Sequence, residues 1–252
     1  MRSVPVLGVP IAVTSLAEAA ASVEQWARER RRSYVCLVNV HVIETAQRSP
    51  ELMEALRAAD LALPDGAPVA WAATRAGSWK TARVAGSDLM AEVCRRTAGT
   101  LRHYLLGGTP QTQDRLSCVL TQAYPGLEIC GASAPPFRVL SASEEAAIAR
   151  DIDESGAEIV WVGLGAPRQE LWMRRMREQL KAPVLVGVGA AFDFLSGTKP
   201  RAPEWVQRAG LEWAHRLASE PGRLWRRYLV TNTAFVARLV WAAVRERAGV
   251  GA

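Results

Sequence analysis

The sequence predicts an α/β fold built on a mainly parallel sheet. Short apolar segments alternate with longer amphipathic ones over about 190 of the 252 residues, which is typical of strand–helix repeats. Several apolar segments are rich in β-branched residues and almost free of polar side chains, as in strands that helices cover on both faces. Residues that favour helix starts stand between them.

Six strands are predicted in chain order. They cover residues 34–40, 59–63, 101–106, 127–130, 157–164 and 183–188. The opening segment 3–17 is uncharged, but Pro5, Gly8 and Pro10 interrupt it. This segment predicts a strand and a turn rather than a membrane span or a signal peptide, because a span needs a longer unbroken apolar run.

Helix starts are predicted where a capping residue precedes proline or acidic residues. Such starts occur at Ser49-Pro50, Ser87-Asp88, Thr109-Pro110 and Ser143. Near the end of the chain, residues 204–218 and 223–247 predict helices, with a break at 220–222. The chain is therefore divided into a catalytic or binding body, 1–198, and a helical appendage, 199–252.

The appendage carries the whole net charge of the chain. It has ten Lys and Arg against four Glu, giving +6, and the complete chain has 31 against 25, also +6. Four of the nine tryptophans, Trp205, Trp213, Trp225 and Trp241, also lie there. A neutral body with a basic, Trp-rich end indicates a protein that binds or acts on an anionic partner, such as a membrane surface or phosphates.

Two interpretations of the last helix stay open. At 100° per residue, Arg223, Arg227, Arg238 and Arg245 share one arc, and a mostly apolar set occupies the opposite side. The helix either packs on the body and exposes a basic face, or lies in the headgroup region of an anionic leaflet. Nucleic acid is not an expected partner, because the arginines do not alternate with stacking aromatics.

The composition excludes several other classes. A hydrophobic content of 49% is too high for a disordered chain. The four cysteines form no close pair and predict buried free thiols in a reducing compartment. The histidines are scattered without zinc spacing, and Asp151 and Asp153 point about 200° apart on a predicted helix, so neither a metal nor a cofactor is expected.

Distinctive residues follow the ends of four predicted strands, where open α/β sheets bind ligands. They are Asn39, Asp65, the Gly107-Gly108-Thr109-Pro110 turn and the Gly163–Glu170 segment that contains Gly165, Pro167 and Gln169. Each Gly-rich turn leads into a helix N-terminus, which favours an anion, although a tight turn also needs glycine for structural reasons. The second turn lacks the third glycine of a dinucleotide fingerprint.

Two acidic residues of these loops have alternative interpretations. Asp65, between Pro64 and Gly66, is either a turn residue or a general base at the mouth of the site. Asp193, between two phenylalanines, either binds a ligand or accepts hydrogen bonds from loop amides. The residues alone do not decide between them.

Together these motifs resemble the WecG/TagA/CpsF family, family 26 of the glycosyltransferases, over about residues 34–230. The resembling segments are LPDG (63–66), RVAGSDL (83–89), LLGG (105–108), VGLGAPRQE (162–170), FDFLSG (192–197), RAPEW (201–205), GLEW (210–213) and EPGRLWRRY (220–228). Many members have Thr where this chain has Leu37, which indicates different sugar or acceptor contacts near that strand.

The resemblance implies a Rossmann-like fold of the GT-E type and an inverting, metal-independent transferase. Its donor would be a UDP-sugar, carrying N-acetylmannosamine, its uronic acid or glucose, and its acceptor an undecaprenyl-diphosphate-linked saccharide of a cell-surface polymer. The enzyme would act in the cytoplasm, peripherally on the inner face of the cell membrane. The sequence leaves the oligomeric state open, a homo-oligomer included.

The resemblance also implies roles for particular residues. The family aspartate that matches Asp65 is the proposed base, and the glutamine that matches Gln169 lies in the active site. Arginines matching Arg216, Arg223 and Arg226 are proposed to bind the diphosphate. The remaining candidates, for nucleotide-sugar contacts, are Asn39, Arg83, Asp88, Gly107, Gly108, Thr109, Gly163, Gly165, Pro167, Glu170 and Asp193.

Three other functions are alternatives to this one. A nicotinamide-dependent oxidoreductase needs the missing third glycine. A nucleic-acid-binding module needs exposed stacking aromatics within its basic surface. The main alternative is a membrane-associated nucleotide-binding protein without transferase activity, which the sequence does not separate from an enzyme.

Overall fold

An eight-stranded sheet forms the centre of the molecule, in a computed structural model that describes residues 1–77, 79–208, 210–219 and 221–247. The strand order is β1-β2-β4-β3-β8-β7-β5-β6, and only the β1–β2 hairpin is antiparallel among the described pairs. The strands are β1 (Ser3–Val6), β2 (Val9–Ala12), β3 (Ser33–Val38), β4 (Leu61–Pro64), β5 (Arg102–Gly107), β6 (Glu128–Ser133), β7 (Ile159–Gly163) and β8 (Val184–Gly187).

Helices cover both faces of the sheet, which confirms the predicted fold class. They are α1 (Leu16–Arg28), α2 (Val40–Ala46), α3 (Pro50–Arg57), α4 (Ala67–Gly77), α5 (Gly86–Thr97), α6 (Pro110–Ala123), α7 (Ala142–Ser155), α8 (Arg168–Met176), α9 (Ala191–Leu195), α10 (Glu204–Arg208), α11 (Glu212–Ser219) and α12 (Pro221–Arg247). Alternate residues of β3 enter two different cores, Cys36 on one face and Val35 and Leu37 on the other. This alternation explains why the strands are apolar on both sides.

Two of the four predicted helix starts are correct and two are not. Ser49 and Thr109 cap α3 and α6 with their side chains, and a proline follows each, as predicted. The α7 helix is capped by Ser141 in a capping box with Glu144, so the cap predicted at Ser143 is wrong by two residues. The α5 helix begins at Gly86 after Ala85, without a side-chain cap, rather than at Ser87.

The predicted helix over 204–218 is two helices. Gly210, with φ of +72°, stands in the turn between α10 and α11. The α12 helix begins at Pro221, inside the predicted break. One face of α12 packs on α2 through the buried Phe235, while Val236, Val240 and Val244 are exposed.

Two smaller predictions were only partly correct. All four cysteines are free and Cys36 and Cys94 are buried, but Cys118 is exposed on α6. Arg238, predicted on a solvated basic face, pairs with the buried Glu44 of α2 at 3.3 Å.

Among the described residues, no helix combines the length and the hydropathy that crossing a membrane requires.

Candidate active site

The candidate site lies at the sheet edge where the parallel strands end. β4, β3, β8, β7 and β5 are consecutive neighbours and parallel, so their carboxyl ends meet there. Asn39 and Asp65 directly follow β3 and β4, and the two Gly-rich turns follow β5 and β7. The sheet therefore brings the strand-end motifs to one edge, where ligands of open α/β sheets bind.

Asp65 is held on a short turn. Its backbone N–H donates to the Val38 carbonyl at 2.9 Å, and the following Gly66 has φ of +117°, which other residues rarely adopt. The Asn39 side chain donates to the Asp65 carboxylate at 3.4 Å, while its own oxygen caps α2 by accepting from the Val42 N–H at 3.2 Å. The carboxylate is thus half-buried and oriented by a residue that is itself fixed by a helix cap.

Four charged residues form a cluster between the body and the appendage. Arg83 pairs with Glu212 of α11 and lies 3.6 Å from Asp88 of α5. Arg201 lies 2.6 Å from Asp88 and 3.9 Å from Glu212. Two guanidinium groups therefore share two carboxylates, and we call this set the charge cluster.

Arg201 also connects the charge cluster with Asp65. Burial alone would lower the pKa of Arg201, but the hydrogen bond and charge of Asp88, with Glu212 and Asp65 nearby, raise it above its ordinary value. Its Nε and Nη2 are buried without a hydrogen-bond partner among the described side chains. A permanent positive charge with spare donors therefore lies within electrostatic reach of the Asp65 carboxylate.

Gln169 and Glu170 form a buried pair at the start of α8. The Gln169 side-chain oxygen accepts from the Gly189 N–H at 3.1 Å, and its nitrogen donates to Glu170 at 2.9 Å. Glu170 is fully buried, and this burial raises its pKa to about 7. The pair fixes the Gln169 amide against the loop that follows β8.

The glycines of the two turns allow β5 and β7 to approach each other and Phe192. A Cβ on Gly107, whose φ is +115°, would lie 2.5 Å from the Gly163 backbone, and one on Gly163 would lie 3.0 Å from the Phe192 ring. A Cβ on Gly108 would lie 3.4 Å from the same ring, whereas one on Gly165 would meet nothing within 4 Å. Three of these glycines thus serve close contacts, and only Gly165 borders open space.

The other predicted residues of this edge lie at helix starts or contact residues close to them in the chain. Thr109 caps α6 by accepting from the Thr112 N–H at 3.1 Å. Pro167 directly precedes α8, in the N-cap position. Asp193 pairs with Lys199 at 2.9 Å, and its backbone carbonyl accepts from the Lys199 N–H at 3.0 Å. The roles predicted for these residues in ligand binding stay predictions.

Three predicted residues cannot be placed at the site. Arg216 lies on α11, and Arg223 and Arg226 lie on the first turns of α12. Their side chains are outside what the structure describes. Their predicted contact with the diphosphate therefore stays a prediction.

No three His, Cys, Asp or Glu side chains gather as a metal cluster within the described ranges. The two aspartates of α7 have structural contacts instead. Asp151 accepts from Ser133 at 3.1 Å and from the Tyr104 hydroxyl, and Asp153 accepts from the Lys181 N–H at 2.8 Å.

The sequence profile of the glycosyl transferase WecG/TagA/CpsF family matches residues 4–249, nearly the whole chain. The chain belongs to this family. A related protein of Bacillus spizizenii, an N-acetylglucosaminyldiphosphoundecaprenol N-acetyl-β-D-mannosaminyltransferase, is 29% identical over 206 residues, which are 80% of this chain and 76% of the relative.

This WecG/TagA/CpsF glycosyltransferase has site features that the sequence did not assign. Arg201 and Glu212 join the charge cluster, although the sequence placed them only in the appendage segments RAPEW and GLEW and gave them no role at the site. Gln113 donates to the Gly107 carbonyl at 2.8 Å and to the Ser133 carbonyl at 2.7 Å, tying the first Gly-rich turn to β6. Gln113 has no sequence signal beyond its place in the first turn of α6.

Proposed function

We propose that this glycosyltransferase moves a sugar from a UDP-sugar to an undecaprenyl-diphosphate-linked saccharide, with inversion and without a metal ion. N-acetylmannosamine is the first donor sugar to test, because the Bacillus spizizenii relative is named for its transfer to a diphosphoundecaprenol-linked saccharide. The uronic acid of that sugar and glucose are the other two. The product would enter cell-surface polysaccharide biosynthesis.

Asp65 is the proposed general base. The acceptor hydroxyl gives its proton to the carboxylate as its oxygen attacks the anomeric carbon, and the bond from that carbon to the UDP oxygen breaks on the opposite face. A single displacement of this kind inverts the anomeric configuration. The observation that carries the proposal is the carboxylate held by Asn39 at the carboxyl edge of the sheet.

Guanidinium groups are proposed to stabilise the departing diphosphate, since they pair bidentately with phosphate oxygens. Arg201 supports this, because its charge interacts with that of Asp65 and two of its guanidinium nitrogens have no hydrogen-bond partner among the described residues. Arg216, Arg223 and Arg226 are assigned the same task from the family resemblance. Position 216 follows Glu212 by one turn of α11, and Glu212 contacts Arg83 of the body.

Gln169 is proposed to contact the donor, with Glu170 setting the orientation of its amide. The appendage would dock on the anionic inner face of the cell membrane, where the lipid-linked acceptor resides, and the enzyme would be cytoplasmic and peripheral. This arrangement gives the basic, Trp-rich end of the chain two tasks, docking and completion of the site.

The test is transfer itself. The protein is incubated with each UDP-sugar and a lipid-diphosphate-linked N-acetylglucosamine acceptor, and UDP release and the disaccharide product are measured. Acceptor-dependent release of UDP with one donor is expected, and that donor should also raise the melting temperature by mass action. Donor binding without any transfer would instead support the alternative, a nucleotide-binding protein without transferase activity.

A further inference from the structure

Two exposed tryptophans lie on the body, outside the appendage. Trp71 of α4 is 59% exposed and Trp79, just after α4, is 54% exposed. The opposite side of α4 is buried through Val69, Ala72 and Ala73. Two large exposed indoles, one on the outer side of a packed helix and one just beyond its end, indicate a surface that meets something other than water.

Basic side chains accompany both indoles. The Arg75 guanidinium lies 5.9 Å from the Trp71 ring centroid, and that of Arg2 lies 4.4 Å from the Trp79 centroid. Lys80 is exposed beside Trp79, and the 22 residues of 66–87 contain no Asp or Glu. The α4 surface, defined by Arg2, Trp71, Arg75, Trp79 and Lys80, is thus aromatic and positively charged.

The α4 surface lies at the same edge of the sheet as Asp65. The Arg2 carbonyl accepts from the Val13 N–H, two residues beyond Ile11, and Ile11 is paired with Ala62 of β4. Arg2 is therefore level with the end of β4. The segment after α4 follows the same edge, because the Val84 N–H donates to the Pro64 carbonyl at 2.9 Å.

The α4 surface continues into the appendage. A Cβ on Gly210 would lie 3.0 Å from the Ala67 Cβ, so the turn between α10 and α11 rests on the first residue of α4. Trp71 follows Ala67 by one helical turn and shares its face. Beside Gly210, Leu211 is 44% exposed and Trp213 is 39% exposed. These side chains extend the apolar area across the junction between α4 and the α10–α11 turn.

We propose that the α4 surface contacts an anionic lipid bilayer together with the α10–α11 turn, so that the body as well as the appendage docks. Indoles with neighbouring Arg and Lys suit the headgroup region, where the rings enter the interface and the cations meet lipid phosphates. Contact on both sides of the junction places the mouth of the Asp65 site against the leaflet. The inference rests on the proposed function, which supplies the lipid-linked acceptor.

The test is vesicle binding by the full-length protein. Binding is measured by co-sedimentation with vesicles of equal parts phosphatidylglycerol and phosphatidylcholine, for wild type, W71A/W79A and W71F/W79F. The alanine pair should weaken the affinity by about tenfold or more, because each indole can bury on the order of 100 Å² of apolar surface. The phenylalanine pair should retain most of the affinity, and pure phosphatidylcholine should bind all three weakly.

Wild-type vesicle affinity in W71A/W79A would overturn the inference. If analytical ultracentrifugation of that variant also showed a change of oligomeric state, the α4 surface would instead be a contact between copies. Transfer to a short-chain, water-soluble acceptor without vesicles should be equal in wild type and W71A/W79A, and its absence from both would count against the proposed function alone.

Discussion

At the scale of single residues, Glu170 has an unusual environment. Its carboxyl is fully buried, one oxygen accepts from Gln169, and the other has no hydrogen-bond partner among the described residues. Burial disfavours the charged form and raises its pKa from the ordinary 4.5 to about 7. The same carboxyl raises the pKa of the nearby Cys36 thiol further, although burial is the larger cause there.

This environment makes stability depend on pH. Between pH 4.5 and about 7, native Glu170 keeps a proton that the unfolded chain has released, so stability falls as pH rises through that window. The loss amounts to roughly 3 kcal/mol, at about 1.4 kcal/mol per pKa unit. Glu170→Gln removes this dependence, and its stability relative to wild type should rise by about that amount between pH 4.5 and pH 8.

Urea denaturation at the two pH values measures the difference. Glu154→Gln, an exposed position on α7, is the matched control and should differ from wild type equally at both. A Glu170→Gln variant whose stability relative to wild type is the same at pH 4.5 and pH 8 would show that this carboxyl is ionised normally.

At the scale of elements, the two Gly-rich turns have a structural function that a ligand does not explain. Gly107 combines a φ of +115° with a 2.5 Å approach to the Gly163 backbone, and backbone atoms cannot move aside as a flexible side chain can. The turns therefore set the spacing of β5 and β7 at the edge where the site lies. Gly165 alone borders open space and stays the best-placed glycine for a ligand contact.

Gly107→Ala should destabilise the protein by roughly 3 kcal/mol or more, since backbone strain and overpacking each cost about 1–3 kcal/mol. Gly99→Ala is the control, because Gly99 has φ of +73° but nothing within 4 Å of an added Cβ. Chemical denaturation of both variants separates strain from overpacking. Equal losses in the two variants would contradict the close approach of β5 and β7.

The sequence predicted a helix start correctly where residues close in the chain determine it. Ser49 and Thr109 cap helices through bonds to residues three positions on, so the sequence predicted both starts. The α5 helix starts without a side-chain cap, and its first residue, Gly86, is explained by distant neighbours, because a Cβ there would lie 2.8 Å from Leu37 and from the Val188 carbonyl. The sequence of the helix contains no pattern from which that contact could be predicted.

At the scale of the whole molecule, the charge cluster and α12 join the appendage to the body. Glu212 and Arg201, both beyond residue 198, contact Arg83 and Asp88 of the body, while Phe235 of α12 is buried against α2. The sequence predicted an appendage from its charge, its tryptophans and its helical pattern. It could not predict these contacts, since pairing between residues more than 100 positions apart leaves no periodic pattern.

The same contacts bear on the candidate site. Strand-end motifs predicted Asn39 and Asp65 at one edge, and parallel strands place them there because their carboxyl ends coincide. The participation of Arg201 could not be predicted, since its burial follows from where the appendage folds back. Asp65, Asn39 and Arg201 thus come from two strand ends and the appendage. The proposed transfer depends on Asp65 acting as the base.

The rate of sugar transfer by Asp65→Asn tests that claim most directly. The variant should fold, bind the UDP-sugar with wild-type thermal stabilisation and transfer about 10²–10⁴-fold more slowly, the usual loss for a missing general base. Asp114→Asn, an exposed position on α6, should transfer at the wild-type rate. Near-wild-type transfer by Asp65→Asn would contradict the account.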